Sequence, residues 1–267
     1  MSVQLDDFKT RQRDAWSVGD YDVYGAQIAD VGELVAQRAQ VGPGTTFLDV
    51  ACGAGNATIP AARAGAQVTG LDLAPHLLEA AQAKAEAAGL TIEWVEGDLE
   101  ALPFEYGSFD RVVSTFGHMF GPRHQLVADE MARVCRKGGA IVTATWTPES
   151  SAAAVLRVSG SYLPPPPEYA APPLLWGSED HVREMFAAVA KDFEFERRVN
   201  WVVAESLEQW ADLFLGRFPP MVAMRAMLGD RFGELRQQVV DVWRDANEAD
   251  DGTLRFPQEY LLSIVRV

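Results

Sequence analysis

The fold is decided by Thr46-Phe47-Leu48-Asp49-Val50-Ala51-Cys52-Gly53-Ala54-Gly55-Asn56-Ala57-Thr58-Ile59-Pro60. The apolar, β-rich run 47–51 meets a pair of glycines, and a helical pattern follows at once. This is a strand, a tight turn and a helix. The glycines let the backbone turn sharply and let a ligand approach it closely. Asp49 lies within the strand, where it would repel an anionic phosphate and attract a cationic ammonium group.

Outward from this stretch the chain alternates. Strands are predicted over 46–51, 67–72, 91–95, 109–115 and 140–146. Between them run helices from Asn56 to Gly65, from Pro75 to Gly89 and from Pro122 through Val134, and Gly138-Gly139 turns the chain into the fifth strand. Strands separated by helices of this length pair in parallel through right-handed crossovers. After Trp146 the rhythm breaks. Helices are expected over 152–163, 179–189, 206–215, 220–228 and 231–247, with prolines 164–167, 172 and 173 as a stiff link. Strands over 193–203 and 260–267 complete the pattern. The expected fold is α/β, a doubly wound Rossmann-like sheet of seven strands, mostly parallel, with a terminal antiparallel pair and helical cover insertions at 148–190 and 205–253. Residues 1–40 read as a helical lid and 41–267 as the main domain. Helices are expected over 3–20 and 25–40.

Composition narrows the function. The 267 residues are 48% hydrophobic, with a formal net charge of −15 and a pI near 4.7. A field of that sign disfavours nucleic acid and anionic membrane. The two cysteines, Cys52 and Cys135, build neither a disulfide framework nor a paired-cysteine metal site. The polar N-terminus shows no signal peptide, and no apolar run approaches the roughly 20 residues of a membrane helix. A cytoplasmic enzyme acting on a small molecule is expected, without nucleic-acid or membrane partners and with its oligomeric state unassigned.

Further motifs follow in order. Asp72 ends the second strand, about twenty residues after the first glycine, where a carboxylate accepts hydrogen bonds from ribose hydroxyls. It is equally placed to cap the next helix. Val95-Glu96-Gly97-Asp98-Leu99 leaves the third strand, with Asp98 able to accept from an adenine amino group and Leu99 able to pack on its ring. Gly107-Ser108-Phe109-Asp110 enters the fourth strand, and Arg133-Val134-Cys135-Arg136-Lys137-Gly138-Gly139 enters the fifth.

These five motifs, spanning about 45–146, resemble those of the class I S-adenosylmethionine-dependent methyltransferases, closest to the small-molecule branch called methyltransferase type 11 or ubiquinone-biosynthesis-like. The resemblance implies S-adenosyl-L-methionine as cofactor and methyl transfer to a small, apolar acceptor at O, N or C. It implies that Asp49, Ala51, Gly53 and Gly55 hold the methionine end, that Asp72 and Leu73 hold the ribose, and that Asp98 and Leu99 hold the adenine. It also sets Thr115 and Phe116 beneath the cofactor and folds Trp16 and Tyr21 over it. Thr58 stands where a dinucleotide fingerprint needs glycine or alanine, which weakens a dehydrogenase reading. Ser114-Thr115-Phe116-Gly117 is not the Asn/Asp-Pro-Pro-Tyr/Phe signature of base-amino methyltransferases. No Asp/Asn set for a metal stands out.

His118, just beyond the fourth strand, is the candidate general base. His76, His124 and His181 read as structural, with His124 facing solvent. Met221, Met224 and Met227 recur at helical spacing as core or as a pliable pocket wall, and Trp146, Tyr162 and Trp176 are candidate pocket residues. Another reaction on the same cofactor, a dehydrogenase and a non-catalytic adenosyl-binding subunit remain as alternatives.

Overall fold

Val112 and Val113 are adjacent in one strand and both are wholly buried. Successive strand residues point to opposite faces, so this strand is covered on both sides. The computed structural model, which describes residues 2–267 and side chains from Asp7 onward, shows how. Helices α1 (Ser2–Trp16), α2 (Asp22–Gly25) and α3 (Ala29–Arg38) come first. Then β1 (Thr46–Val50), α4 (Thr58–Arg63), β2 (Gln67–Asp72), α5 (Pro75–Ala87), β3 (Glu93–Glu96), β4 (Phe109–Thr115), α6 (His124–Val134) and β5 (Cys135–Trp146) alternate. Helices α7 (Ser151–Gly160) and α8 (Glu179–Phe186) lead to β6 (Asp192–Ala204). Helices α9 (Leu207–Arg217), α10 (Pro219–Leu228) and α11 (Phe232–Ala246) precede β7 (Leu254–Arg266).

The seven strands form one sheet in the order β3-β2-β1-β4-β5-β7-β6. The first five pair in parallel, and β7 runs antiparallel to both β5 and β6. The expected fold class is therefore what the chain adopts. The order reverses between β1 and β4, so the ligand crevice lies at their carboxyl ends.

Most strands fall within about two residues of expectation, β3 running Glu93–Glu96 rather than 91–95, and two begin well before it. β5 begins at Cys135 rather than after the glycines: the β4–β5 register shifts between Phe109 and Arg111, and Gly138, at φ +83°, sits in the extra loop of backbone. A glycine pair in a bulge leaves the same trace in sequence as one in a turn. β7 begins at Leu254, six residues before the expected start, because Leu254, Phe256 and Gln258 alternate inward at its polar-looking beginning. The N-terminal forty residues also divide. Ile28, Val31 and Val35 are buried as α3 packs on β4, β5 and α4, so α3 covers the sheet and sets Gly32 against Asn56 of the loop after β1, while Lys9 of α1 and Tyr21 at the start of α2 reach the carboxyl edge. Among the described residues no helix is long and apolar enough to cross a membrane.

Candidate active site

Two parallel neighbours, β1 and β4, each leave the sheet through a residue that is not glycine yet is left-handed: Ala51 at φ +54° and Phe116 at φ +61°. Such residues cost about 1–3 kcal/mol each and persist where the surroundings enforce them. The enforcement is visible. Ser114 Oγ donates to the Val50 carbonyl at 2.6 Å and accepts the His118 N–H at 3.0 Å, tying the two exits together. Gly117 lies directly against Ala51, where a Cβ would come within 2.5 Å of the Ala51 carbonyl oxygen and Cβ. Gly53 and Gly55 are also left-handed, at φ +52° and +88°.

The carboxylates come next. Asp49 is 1% exposed. Thr58 Oγ1 donates to its Oδ2 at 2.6 Å, while Oδ1 is buried with no partner among the described residues. Burial, opposed by the Thr58 bond and helped by the Asp72 charge, pushes its pKa up to about 7. A buried carboxyl with a free oxygen calls for a donor, and a cation most of all. Asp72 is bound on both oxygens: Oδ2 accepts the Gly53 N–H at 2.8 Å and Oδ1 the Ala74 N–H at 2.9 Å. It thus holds the glycine turn and caps the approach to α5, and its remaining lone pairs stay free to accept more. Leu73 beside it is half-buried.

The loop after β3 brings Asp98, Leu99 and Glu100 to the same end of the sheet. Asp98 Oδ1 accepts the Glu100 N–H at 2.9 Å, and Lys9 of α1 bonds its Oδ2. Leu99 packs on the core and on Gly121. The Glu100 carboxylate is fully buried, with Lys9 at 2.6 Å and Arg123 at 2.9 Å. Burial works against its charge, but the bonds from Arg123 and Lys9 hold its pKa below the usual carboxylate range.

Above the turn sits Tyr21, whose ring lies about 3.5 Å from where a Gly53 Cβ would be. Burial, with the nearby carboxylates Asp72 and Asp49, raises its phenol pKa far beyond the ordinary value. Trp16 packs edge-on against Tyr21, Phe120 and Phe218, with centroids 6.1, 5.6 and 5.6 Å apart. Trp16 and Tyr21 are therefore brought to the glycine turn. Thr115 is half-buried, with Oγ1 unpartnered, and Phe116 stacks on Trp146 at 3.8 Å and 13°.

His118 does not suit the base expected of it. It is wholly buried in a 3₁₀ turn, its Nε2 bonds Thr145 Oγ1 at 2.9 Å, and its ring stands edge-on to Trp176. Burial, helped by the neighbouring His124, lowers its pKa to about 3, which makes a feeble base. Its side chain packs beneath the loop instead. His124 is likewise buried rather than solvent-facing, and its Nδ1 meets His181 Nε2 at 3.0 Å. Trp176 fills this cluster and is fully buried. Tyr162 bonds Gln238 at 2.8 Å. Met221 and Met224 are core, whereas Met227 is 53% exposed. The solvent-facing reading of His124 failed because a helix on an inner layer is covered on two sides. The cover, here α8, comes fifty residues later in the chain.

The His118 environment has a consequence for pH. Above pH 6.5 the imidazole is neutral in folded and unfolded chains alike. Below it, the unfolded chain takes up a proton that the folded chain refuses down to about pH 3, so stability falls as pH falls. By pH 5 the loss from this group is about 2 kcal/mol. Asp49 and His124 also titrate over this range, so the His118 contribution is read as a difference: between pH 7 and pH 5 the stability change of the wild type should be less favourable than that of His118→Leu by about 2 kcal/mol in denaturant unfolding. Equal changes would mean that the imidazole is protonated within the fold.

Four contributors were not singled out from sequence: Lys9, Thr58 as the anchor of Asp49, Glu100 and Gly117. Thr58 and Gly117 carried a readable signal, since each lies within a few residues of a strand exit. Lys9 and Glu100 carried none, because their pairing spans ninety residues.

Residues 47–139 match the methyltransferase domain family. The Mycobacterium tuberculosis protein Rv1403c is 47% identical over 189 residues, covering 70% of this chain and 69% of the relative. Rv1405c of the same organism is 36% identical over 255 residues, covering 94% and 92%. A demethylmenaquinone methyltransferase from Thermus thermophilus is 40% identical over 104 residues, 38% of this chain and 47% of the relative. Among solved structures, a Bacillus halodurans protein described as a methyltransferase superposes with a TM-score of 0.62 at 21% identity, covering 87% and 96%. By its sheet order, its glycine turn and these likenesses, the chain belongs to the class I S-adenosylmethionine-dependent methyltransferases.

Proposed function

We propose that the chain binds S-adenosyl-L-methionine at the carboxyl ends of β1, β2 and β3 and methylates a small, apolar organic acceptor in the cytoplasm. The observation that carries this reading is the unpartnered, buried Oδ1 of Asp49 beside the left-handed glycine turn. The residues fit the cofactor: Asp49 for the ammonium, Asp72 and Leu73 for the ribose, Asp98 and Leu99 for the adenine. When bound, the cofactor supplies a sulfonium methyl group and keeps the sulfur electron pair as the bond breaks. The chain's part is alignment and exclusion of water. Gly53 and Gly55 permit close approach, and Phe116 with Trp146 forms a flat apolar floor. Helices α1 and α2 serve as the lid, with Trp16 and Tyr21 over the site, where their rings suit both a sulfonium and an apolar acceptor. The rings of Trp16, Phe120 and Phe218 favour an uncharged acceptor over a phosphorylated one. With His118 buried, an acceptor proton leaves to water.

Transfer of a labelled methyl group from S-adenosylmethionine to a panel of phenols, amines and quinols tests the reaction. Turnover on at least one uncharged acceptor is expected, and Asp72→Ala should weaken cofactor binding about tenfold, roughly 1.4 kcal/mol. Unchanged affinity in Asp72→Ala would remove the ribose assignment.

A further inference from the structure

Helix α1 is bound to the rest of the chain by polar contacts on one face. Lys9 reaches Asp98 and, at 2.6 Å, Glu100; Gln12 donates to the Phe120 carbonyl at 2.9 Å; Arg13 pairs with Glu96 at 2.6 Å. Positions 9, 12 and 13 are spaced i, i+3, i+4, one side of a helix. The Arg13 pair is half-exposed at both ends and contributes little. The Lys9 contact is different in kind. The Lys9 side chain is 14% exposed and that of Glu100 is 0% exposed.

Glu100 also serves a second element. One of its oxygens accepts the Arg123 backbone N–H at 2.7 Å, and the other accepts Arg123 Nε at 3.2 Å and Nη2 at 2.9 Å. Arg123 closes the loop that starts at Phe116 and carries Phe120, the ring against which Trp16 rests. A single buried carboxylate therefore holds the N-terminal helix with one cation and the loop after β4 with another. Its own backbone N–H bonds Asp98. No other buried acid among the described residues bridges two cations from separate elements in this way.

Building on the functional reading above, we propose that Glu100 is a positioning residue for methyl transfer. Through Lys9 it seats α1 over the adenine end of the cofactor site, with Trp16 against Tyr21 towards the glycine turn, and through Arg123 it fixes the facing loop. It touches neither cofactor nor acceptor. Loss of Lys9 leaves the buried Glu100 with Arg123 as its one cation, and loss of the Glu100 charge leaves Lys9 with the more exposed Asp98, so either loss should loosen the helix. Asp98 keeps lone pairs for an adenine amino group while it holds Lys9, so the seat and the cofactor are compatible.

The test uses full-length Lys9→Met, Lys9→Arg, Glu100→Gln and the double variant, with two readouts. Amide exchange over 2–16 in ligand-free protein should rise at least tenfold in Lys9→Met and Glu100→Gln and stay near wild type in Lys9→Arg. Stopped-flow tryptophan fluorescence should show S-adenosylhomocysteine leaving Lys9→Met and Glu100→Gln about tenfold faster. Over 2–16 the double variant should exchange no faster than Glu100→Gln, because both changes free α1 through one contact, the Lys9–Glu100 pair. Unchanged exchange in Lys9→Met would overturn the proposal, as would additive effects on exchange over 2–16 in the double variant. The exchange readout needs no ligand. If the wild type fails to bind S-adenosylhomocysteine while exchange responds as expected, the functional reading fails and the seating role of Glu100 stands.

Discussion

Asp49→Asn should lower the affinity for S-adenosylmethionine by about a hundredfold, roughly 2.7 kcal/mol. The reason is the buried Oδ1, which has no partner among the described residues. A ligand ammonium meets a carboxylate there in the wild type and a neutral amide in the variant. The sign of the pH dependence follows from the raised pKa of about 7. Below pH 7 Asp49 holds a proton that a cationic ligand must displace, so wild-type affinity should rise with pH up to about 7 and then level off. Calorimetry in two buffers of different ionisation heat should count a proton released on binding at pH 6, about half of one at pH 7, and none from this site in Asp49→Asn. Equal affinity in the two proteins would take Asp49 out of the cofactor site.

The second large effect is expected at Gly117. Here φ is not the obstacle. A Cβ would lie 2.5 Å from the Ala51 carbonyl oxygen, and a backbone atom cannot swing aside as a side-chain tip can. Gly117→Val must push apart the exits of β1 and β4, both held in left-handed conformations by their mutual contacts. A loss of about 2–4 kcal/mol of stability is expected, lowering Tm by about 5–15 °C. Cofactor affinity should fall with it. Gly216→Ala is the control. Its Cβ would meet open space inside α9, and it should be neutral or slightly stabilising. A Gly117→Val protein as stable as wild type would mean that the two loops can separate freely.

How far the sequence could be read depends on range. The parallel core was legible because each βα unit carries its own local signs: β2 and β4 begin and end where expected, and Pro75 with Gly89 brackets α5. The placement of Asp49, Asp72 and Asp98 at the carboxyl edge of the sheet was legible because each lies at or just past the end of a strand. What was not legible is what other elements do to those residues. Asp98 looks like an exposed turn aspartate, yet α1 places Lys9 on it. His118 occupies a catalytic-looking position, yet Trp176, from a link rich in proline, buries it. The glycines at 138 and 139 carry the mark of a turn and sit in a bulge, a distinction that only the partner strand makes. The apolar stripe of α3 likewise does not say which surface it packs against, and β4, β5 and α4 are what it meets.

The most direct test of the account is calorimetric titration of the purified protein with S-adenosylmethionine, S-adenosylhomocysteine and NADH in parallel. Micromolar binding of both sulfur compounds is expected, with proton release below pH 7 and no heat with NADH. Binding of NADH with none of the sulfur compounds would contradict it, and the glycine turn between β1 and α4 would then belong to a dinucleotide.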